Sequence, residues 1–213
     1  MISSPSDETH RDETPRDETH RDEIDRDETP RERPAVPPAL RRADSLVLVN
    51  TGDGKGKSSA AFGVMGRAWA RGWRVSVVQF LKSGKWQSGE RKLAEHLDIE
   101  WHSLGDGFTW ESRDLDETVA KGRHAWEVAR GAITSGDYQL VILDEMTYAL
   151  VYGWIDLDDV LEVIARRPRS TNVIVTGRNA PEGLLDLADT ATEMRVIKHA
   201  YDQGIRAMKG IEY

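Results

Sequence analysis

The segment LVLVNTGDGKGKSS at residues 46–59 constrains the fold of this chain more than any other. It begins with four aliphatic residues in a row, a pattern typical of a strand buried on both faces of a parallel sheet. A glycine-rich turn follows, and then the apolar run AAFGVM at residues 60–65 predicts a buried helix. A strand, a glycine turn, Lys-Ser and a helix form the arrangement in which backbone N–H groups and a helix N-terminus surround a phosphate. The segment therefore predicts a phosphate-binding loop, or P-loop.

The residue types in this turn suit a phosphate. Glycines let the backbone approach an anion and adopt positive φ, Lys57 supplies a charge, and Ser58 supplies a hydroxyl for a metal ion. The strict pattern G-x-x-x-x-G-K-[ST] requires a glycine where this chain has Thr51, and the alternative is a turn that only links a strand to a helix. The neighbouring strand and helix favour phosphate binding. The predicted phosphate-binding residues are Gly52, Asp53, Gly54, Lys55, Gly56, Lys57, Ser58 and Ser59.

Composition narrows the class of protein. A chain of 213 residues is long enough for one α/β domain with a full core. It has no cysteine, which excludes disulfides and thiolate metal sites. No apolar run approaches the roughly 20 residues of a membrane span, and the first residues lack the apolar core of a signal peptide. We therefore expect a soluble, cytoplasmic protein with no membrane partner.

The first 45 residues differ from the rest. Residues 7–31 are five copies of a DETHR-type pentapeptide with 11 acids and 5 arginines, and the following residues are proline-rich. With Ile24 as its one aliphatic residue, the repeat cannot bury enough apolar area to offset chain entropy. We expect residues 1–45 to be a disordered tail and linker, with a partner-binding arm as the alternative, and residues 46–213 to be the folded domain. The near-neutral remainder, with 26 acids and 24 bases, gives no support to nucleic-acid binding.

Strand and helix patterns alternate through the predicted domain. Strands are predicted at residues 46–49, 74–81, 99–102, 138–145, 171–176 and 192–197, with helices between them and a polar tail after them. Such alternation is typical of a doubly wound sheet with helices on both faces. We therefore predict an α/β fold of the P-loop NTPase type, with a mostly parallel six-stranded sheet.

Polar residues follow two of these strands. The fourth strand ends in Asp144 and Glu145, at the edge where ligands bind in open α/β sheets. Beside a P-loop this is the Walker B arrangement, an acid aimed at the magnesium that bridges the phosphates, and the alternative is a cap for the next helix. After the fifth strand, Arg178 lies in a glycine turn and suits a phosphate or carboxylate, with a surface salt bridge as the alternative.

Two large aromatics, Phe108 and Trp110, lie between glycines and charges in a predicted loop. They lack the periodic apolar setting of a core segment, so a hydrophobic plug and a ligand-facing role both stay open. From the residues alone the chain is a magnesium-nucleotide enzyme or switch. Glu145 could position a hydrolytic water, whereas no clear arginine-rich lid of a small-molecule kinase and no guanine-reading Asn-Lys-x-Asp motif is found. Two alternatives to a group-transfer enzyme stay open. One is a P-loop ATPase acting as a motor or switch, and the other is a nucleotide-sensing module without turnover.

Seven motifs occur in order along the chain: TGDGKGKSS, QFLKSGKWQSGE, GFTWE, VILDEMTYAL, VIVTGRNAP, LADTATEMR and KHAYDQGIRAMKGIEY. Together they resemble the P-loop-type ATP:corrinoid adenosyltransferases, also called cob(I)yrinic acid a,c-diamide adenosyltransferases. The resemblance covers residues 46–213 and leaves residues 1–45 outside. It also accounts for Thr51, because the family's loop has the same TGxGKGK form.

The resemblance implies a transfer. Co(I) of a reduced corrinoid attacks the 5′ carbon of ATP, adenosine becomes bonded to cobalt, and the whole triphosphate leaves. The family binds ATP with its phosphate chain reversed relative to ordinary P-loop ATPases. Carried over to this chain, Lys57 and the loop N–H groups would stabilise the leaving triphosphate, Ser58 and Glu145 would lie near Mg²⁺ or Mn²⁺, and Arg178 would face the phosphates.

The resemblance also gives the aromatic loop a role. Phe108 and Trp110 match the family's corrinoid-facing aromatics, which displace the lower axial ligand and leave a four-coordinate Co(II). Four-coordinate Co(II) accepts an electron more readily, so a reduced flavoprotein can act as the electron donor that makes Co(I). Lys57, Phe108 and Trp110 are thus the expected catalytic residues, and the family likeness further implies a homodimer that works in adenosylcobalamin biosynthesis or salvage.

Overall fold

The computed structural model describes residues 40–81, 88–105 and 115–212. Its six strands are β1 (Val47–Thr51), β2 (Val75–Gln79), β3 (Glu100–Ser103), β4 (Leu140–Asp144), β5 (Asn172–Thr176) and β6 (Thr190–Glu193). Their order in the sheet is β3-β2-β4-β5-β1-β6, and each neighbouring pair is parallel. The predicted six-stranded, doubly wound α/β fold is confirmed. The predicted boundary between tail and domain stays a prediction.

Helices connect the parallel strands. They are α1 (Lys57–Ala70), α2 (Gly89–His96), α3 (Leu115–Ser135), α4 (Met146–Val151), α5 (Leu157–Ala165) and α6 (Glu182–Leu187), with a short 3-10 helix at Tyr201–Gln203. Side-chain caps define two of the starts. Ser88 accepts a hydrogen bond from the Arg91 N–H at the start of α2, and Asp156 accepts one from the Asp159 N–H at the start of α5.

The inner strands of the sheet are buried on both faces. Val141 and Leu143 of β4 pack in a core with α3, α4, α5 and α6, whereas Leu140 and Ile142 pack in a second core with α1 and α2. Because successive side chains of a strand point to opposite faces, a strand covered on both sides is apolar along most of its length. This is why the central strands read as unbroken aliphatic runs in the sequence.

One strand prediction has wrong bounds. The last strand was expected at residues 192–197, but β6 is Thr190–Glu193, a fully exposed edge strand. The chain leaves the sheet there because the backbone of Met194 turns onto the P-loop, donating its N–H to the Thr51 carbonyl at 2.8 Å and accepting from the Gly54 N–H at 2.6 Å. Helix α4 begins directly after Glu145, where a next helix was considered without bounds, and no side-chain hydrogen bond caps it. Within the described ranges, no helix is long and apolar enough to cross a membrane.

Candidate functional site

The glycine turn forms a loop between β1 and α1. Gly52 and Gly56 have φ of 92° and 107°, in the left-handed region that favours glycine. Gly56 precedes α1, and its carbonyl accepts from the Ala60 N–H at 2.8 Å, the first helical bond. The loop therefore wraps the N-terminus of α1, where unpaired N–H groups and the helix dipole favour an anion.

Lys57 lies folded back on this loop. Its Nζ donates to the Gly54 carbonyl at 2.5 Å. Burial, followed by the charge of Arg178, lowers the pKa of Lys57, and the acids Asp53 and Glu145 partly oppose this shift. Two cations that disfavour each other's charge make a place where an anion such as a phosphate is stabilised.

Arg178 is held by the turn after β5. Gly177 has φ of 142°, and a Cβ there would lie 2.0 Å from the Thr147 hydroxyl oxygen. That hydroxyl donates to the Arg178 carbonyl at 2.6 Å, and the Arg178 guanidinium lies 3.4 Å from the Asp53 carboxylate. The salt-bridge alternative for Arg178 is therefore observed, with Asp53 of the glycine loop as the partner, while its role toward a phosphate stays a prediction.

A cavity of about 770 Å³ lies where these elements converge. Its wall includes the predicted residues Lys55, Gly56, Lys57, Ser58, Ser59, Glu145 and Arg178. Gly52 and Asp53 instead line a separate cavity of about 350 Å³, beside Asn179 and Ala180. The larger cavity therefore brings together the end of the loop at the start of α1, the residue after β4 and the turn after β5. Gly52 and Asp53, in the first half of the loop, line the smaller cavity.

The same wall contains side chains that the sequence analysis did not select: Glu90, Tyr148, Tyr152, Thr176, Ile211 and Glu212. Tyr148 and Tyr152 follow Glu145 at spacings of three and seven, so helical periodicity could have placed them on one face of α4. Their rings stack at 6.4 Å between centroids, and burial raises the pKa of Tyr148. Glu90 belongs to α2 and Glu212 to the segment after the 3-10 helix, and no local sequence pattern indicates that either lies at this site.

The two acids after β4 have different environments. Asp144 is fully buried and accepts hydrogen bonds from Gln79 and Thr176, whereas Glu145 has φ of 60° and borders the cavity. Among the described residues, no group of three or more His, Cys, Asp or Glu could hold a metal. The hydroxyl of Ser58 and the carboxylate of Glu145 are hard oxygen donors, and Mg²⁺ in nucleotide sites is typically held by one or two protein ligands plus substrate phosphates. The donor set fits magnesium on that basis.

Phe108 and Trp110 lie outside the described residues, as does the segment 82–87 of the second motif. Their assignment to a corrinoid, and the alternative plug, stay predictions. The described chain leads into that loop from the sheet, because the Leu104 N–H donates to the Gln79 carbonyl at 3.1 Å after β3 ends. The described chain before the aromatic loop ends at Gly105, two residues after β3.

A parallel sheet with a glycine loop before its first helix, a lysine folded onto the loop and an acid after β4 defines a P-loop nucleotide-binding protein. Within that class, the chain belongs to the ATP:corrinoid adenosyltransferase BtuR/CobO/CobP family, which matches residues 43–213. This confirms the resemblance seen in the motifs.

Curated relatives agree with this membership. The chain is 45% identical over 170 residues to a corrinoid adenosyltransferase of Pseudomonas aeruginosa, covering 79% of this chain and 83% of the relative. It is 40% identical over 168 residues to a corrinoid adenosyltransferase of Escherichia coli K12, covering 79% and 85%. A corrinoid adenosyltransferase of Sinorhizobium sp is 45% identical over 172 residues, covering 79% and 80%.

Proposed function

We propose that this chain transfers the 5′-deoxyadenosyl group of ATP to the Co(I) of a corrinoid and releases triphosphate. In this reaction the cobalt electron pair forms a Co–C bond to the 5′ carbon, the C5′–O bond breaks, and its electron pair leaves on the triphosphate. Because the nucleophile carries no proton, no general base is needed. The observation that carries the proposal is the convergence of Lys57, Ser58, Glu145 and Arg178 on one cavity, in a chain of this family.

The cations of the site suit a leaving triphosphate. Lys57 and Arg178 both line the cavity, and together with the N–H groups at the start of α1 they would face the negative charge that grows as the C5′–O bond breaks. Ser58 and Glu145 would hold Mg²⁺ or Mn²⁺, which when bound neutralises phosphate charge. Gly52, Asp53, Gly54, Lys55, Gly56 and Ser59 complete the proposed loop, with Gly52 and Gly54 acting through its backbone shape.

The proposal extends to the corrinoid and to the setting of the reaction. Phe108 and Trp110 would lie against it and exclude its lower ligand, which favours reduction to Co(I). A reduced flavoprotein as electron donor, a homodimer and a cytoplasmic location are also predictions. The product of the reaction would be an adenosylated corrinoid for adenosylcobalamin synthesis or salvage, from cob(I)yrinic acid a,c-diamide or cobalamin.

A product assay tests the proposal. The chain is incubated with magnesium and ATP, with and without a chemically reduced corrinoid, and the phosphate products are separated by chromatography. We expect triphosphate and a Co–C bonded corrinoid in equal amounts, and only when the reduced corrinoid is present. ADP plus phosphate without any need for corrinoid would favour the motor or switch ATPase, and nucleotide binding without product would favour the sensing module.

A further inference from the structure

A buried chain of hydrogen bonds runs across the carboxyl edge of the sheet. Gln79 Nε2 donates to Asp144 Oδ2 at 2.8 Å, and Thr176 Oγ1 donates to Asp144 Oδ1 at 2.8 Å. The Glu145 backbone N–H then donates to Thr176 Oγ1 at 3.0 Å. Asp144 and Thr176 are 0% exposed and Gln79 is 2% exposed, so these bonds are shielded from water.

The direction of each bond is determined by its neighbours. Gln79 Oε1 accepts from Trp101 Nε1 at 3.1 Å and from Ser103 Oγ at 2.9 Å, which leaves its Nε2 to donate to Asp144. The single hydroxyl proton of Thr176 goes to Asp144, so its lone pairs are available to the Glu145 N–H. This series of hydrogen bonds thus links β3, β2, β4 and β5 and ends at the backbone N–H of Glu145.

Glu145 needs such support. Its φ of 60° is in the left-handed region, which is unfavourable for a residue with a Cβ. In that conformation Glu145 lies between the end of β4 and the start of α4 and lines the cavity with Ser58. The Thr176 hydroxyl contacts the Glu145 and Asp144 side of the site, whereas the Arg178 carbonyl is bonded by the Thr147 hydroxyl.

We propose that Thr176, oriented by Asp144 and Gln79, is a positioning residue that holds Glu145 at the magnesium–triphosphate. This rests on the proposed function only for the identity of the ligand. Asp144 follows as a second positioning residue, because both of its oxygens are used within the sheet edge. Glu145 alone of the two adjacent acids then faces the ligand.

The test compares two substitutions that differ in one hydroxyl. Thr176→Val keeps the branched shape and removes the oxygen, whereas Thr176→Ser keeps the oxygen. ATP affinity is measured by calorimetry without metal and across a Mg²⁺ titration. For Thr176→Val we expect the apparent Mg²⁺ affinity in the presence of ATP to fall about tenfold, as loss of one buried hydrogen bond predicts, with the metal-free ATP affinity unchanged within about twofold. Thr176→Ser should stay within about threefold of the wild-type Mg²⁺ affinity.

Thr171 provides a matched control. It is also 0% exposed and adjoins β5, but its hydroxyl donates to the Tyr138 carbonyl at 3.0 Å at the opposite edge of the sheet. Thr171→Val should lower the free energy of unfolding and leave the Mg²⁺ affinity unchanged. An equal loss of Mg²⁺ affinity in Thr171→Val and Thr176→Val would overturn the proposal, as would a wild-type Mg²⁺ affinity in Thr176→Val.

Asp144→Asn keeps the test decisive if Thr176→Val does not fold. An asparagine amide has one oxygen in place of the two carboxylate oxygens that accept from Gln79 and Thr176, so one of these two bonds is lost, and we expect a three- to tenfold loss of Mg²⁺ affinity. An unchanged Mg²⁺ affinity in a folded Asp144→Asn protein contradicts the positioning role. These binding measurements do not depend on turnover. A wild-type chain that binds Mg²⁺ and ATP but makes no triphosphate from reduced corrinoid would therefore contradict the proposed function alone.

Discussion

The backbone N–H of Gly54 donates to the carbonyl oxygen of Met194 at 2.6 Å, so the P-loop packs directly on the segment after β6. A Cβ at Gly54 would lie 2.7 Å from the Met194 carbonyl carbon, and neither backbone can move cheaply. Gly54→Ala should therefore lower the free energy of unfolding by about 1–3 kcal/mol, and displace the loop enough to weaken ATP binding at least tenfold. Urea unfolding and calorimetry measure the two effects.

Gly63 is the matched control for that substitution. It lies inside α1, and a Cβ there would meet nothing within 4 Å. Gly63→Ala should raise stability by about 0.5–1 kcal/mol, because alanine loses less backbone entropy in a helix. If Gly54→Ala and Gly63→Ala were equally stable, the close approach of Met194 would not limit the loop.

Removal of the Lys57 charge should weaken ATP binding far more than it weakens the fold. The one described hydrogen bond of the Lys57 ammonium group is to the Gly54 carbonyl, whereas a triphosphate would receive a charge-assisted bond worth about 1.5–3 kcal/mol. We expect Lys57→Met to reduce ATP affinity by roughly 10- to 100-fold in calorimetry. Lys92 is exposed on α2, and Lys92→Met removes a charge of the same sign. This control should leave ATP affinity unchanged. Equal losses in both would indicate only a change in overall charge.

The aromatic loop is tested apart from the phosphate site. Phe108→Ala with Trp110→Ala should leave ATP affinity unchanged, since neither residue belongs to the proposed phosphate loop. The same double variant should lose the absorption and EPR signature of four-coordinate Co(II) when Co(II) corrinoid and ATP are added together. A wild-type spectrum from the double variant would contradict the corrinoid-facing assignment and favour the plug.

The ion pair between Lys55 and Glu212 lies at the mouth of the same cavity. A triphosphate must compete with the Glu212 carboxylate for Lys55, whose side chain is 55% exposed. Ion pairs with at least one exposed partner are typically worth about 0–1 kcal/mol, so Glu212→Gln should raise ATP affinity by up to about fivefold at low salt. The gain should shrink at 0.5 M salt because exposed charges are screened. A lower ATP affinity in Glu212→Gln would instead make Glu212 part of the binding surface.

Prediction from the sequence succeeded where a local pattern decides the outcome. The central strands carry unbroken aliphatic runs because both faces are covered, and the loop from Gly52 to Ser59 carries its glycines because of backbone conformation and close approach. The bounds of β6 were wrong because an exposed edge strand has no apolar pattern, and its end depends on the Met194 bond to the distant Gly54.

Other features depend on contacts between segments far apart in the chain. Asp144 and Glu145 are adjacent acids with the same sequence signal. Asp144 is nevertheless buried and accepts hydrogen bonds from Gln79 and Thr176, whereas Glu145 lines the cavity. Glu212 reaches the loop from the end of the chain. Neither a motif nor a periodicity contains such information, since it arises only when the sheet order is known.

Tyr138 predicts how stability depends on alkaline pH. Burial, then its hydrogen bond to Glu100, raises the pKa of Tyr138 to about 12. The unfolded chain loses this proton near pH 10, so the folded state binds more protons above that pH and its stabilisation is lost as the pH rises from about 10 to 12. Below pH 10 the contribution is complete. Tyr138→Phe should therefore be less stable than wild type at pH 9, and the difference should narrow by pH 11 in urea unfolding. The exposed Tyr201→Phe should show no such narrowing, and a constant difference for Tyr138→Phe would show that the Glu100 contact does not retain the proton.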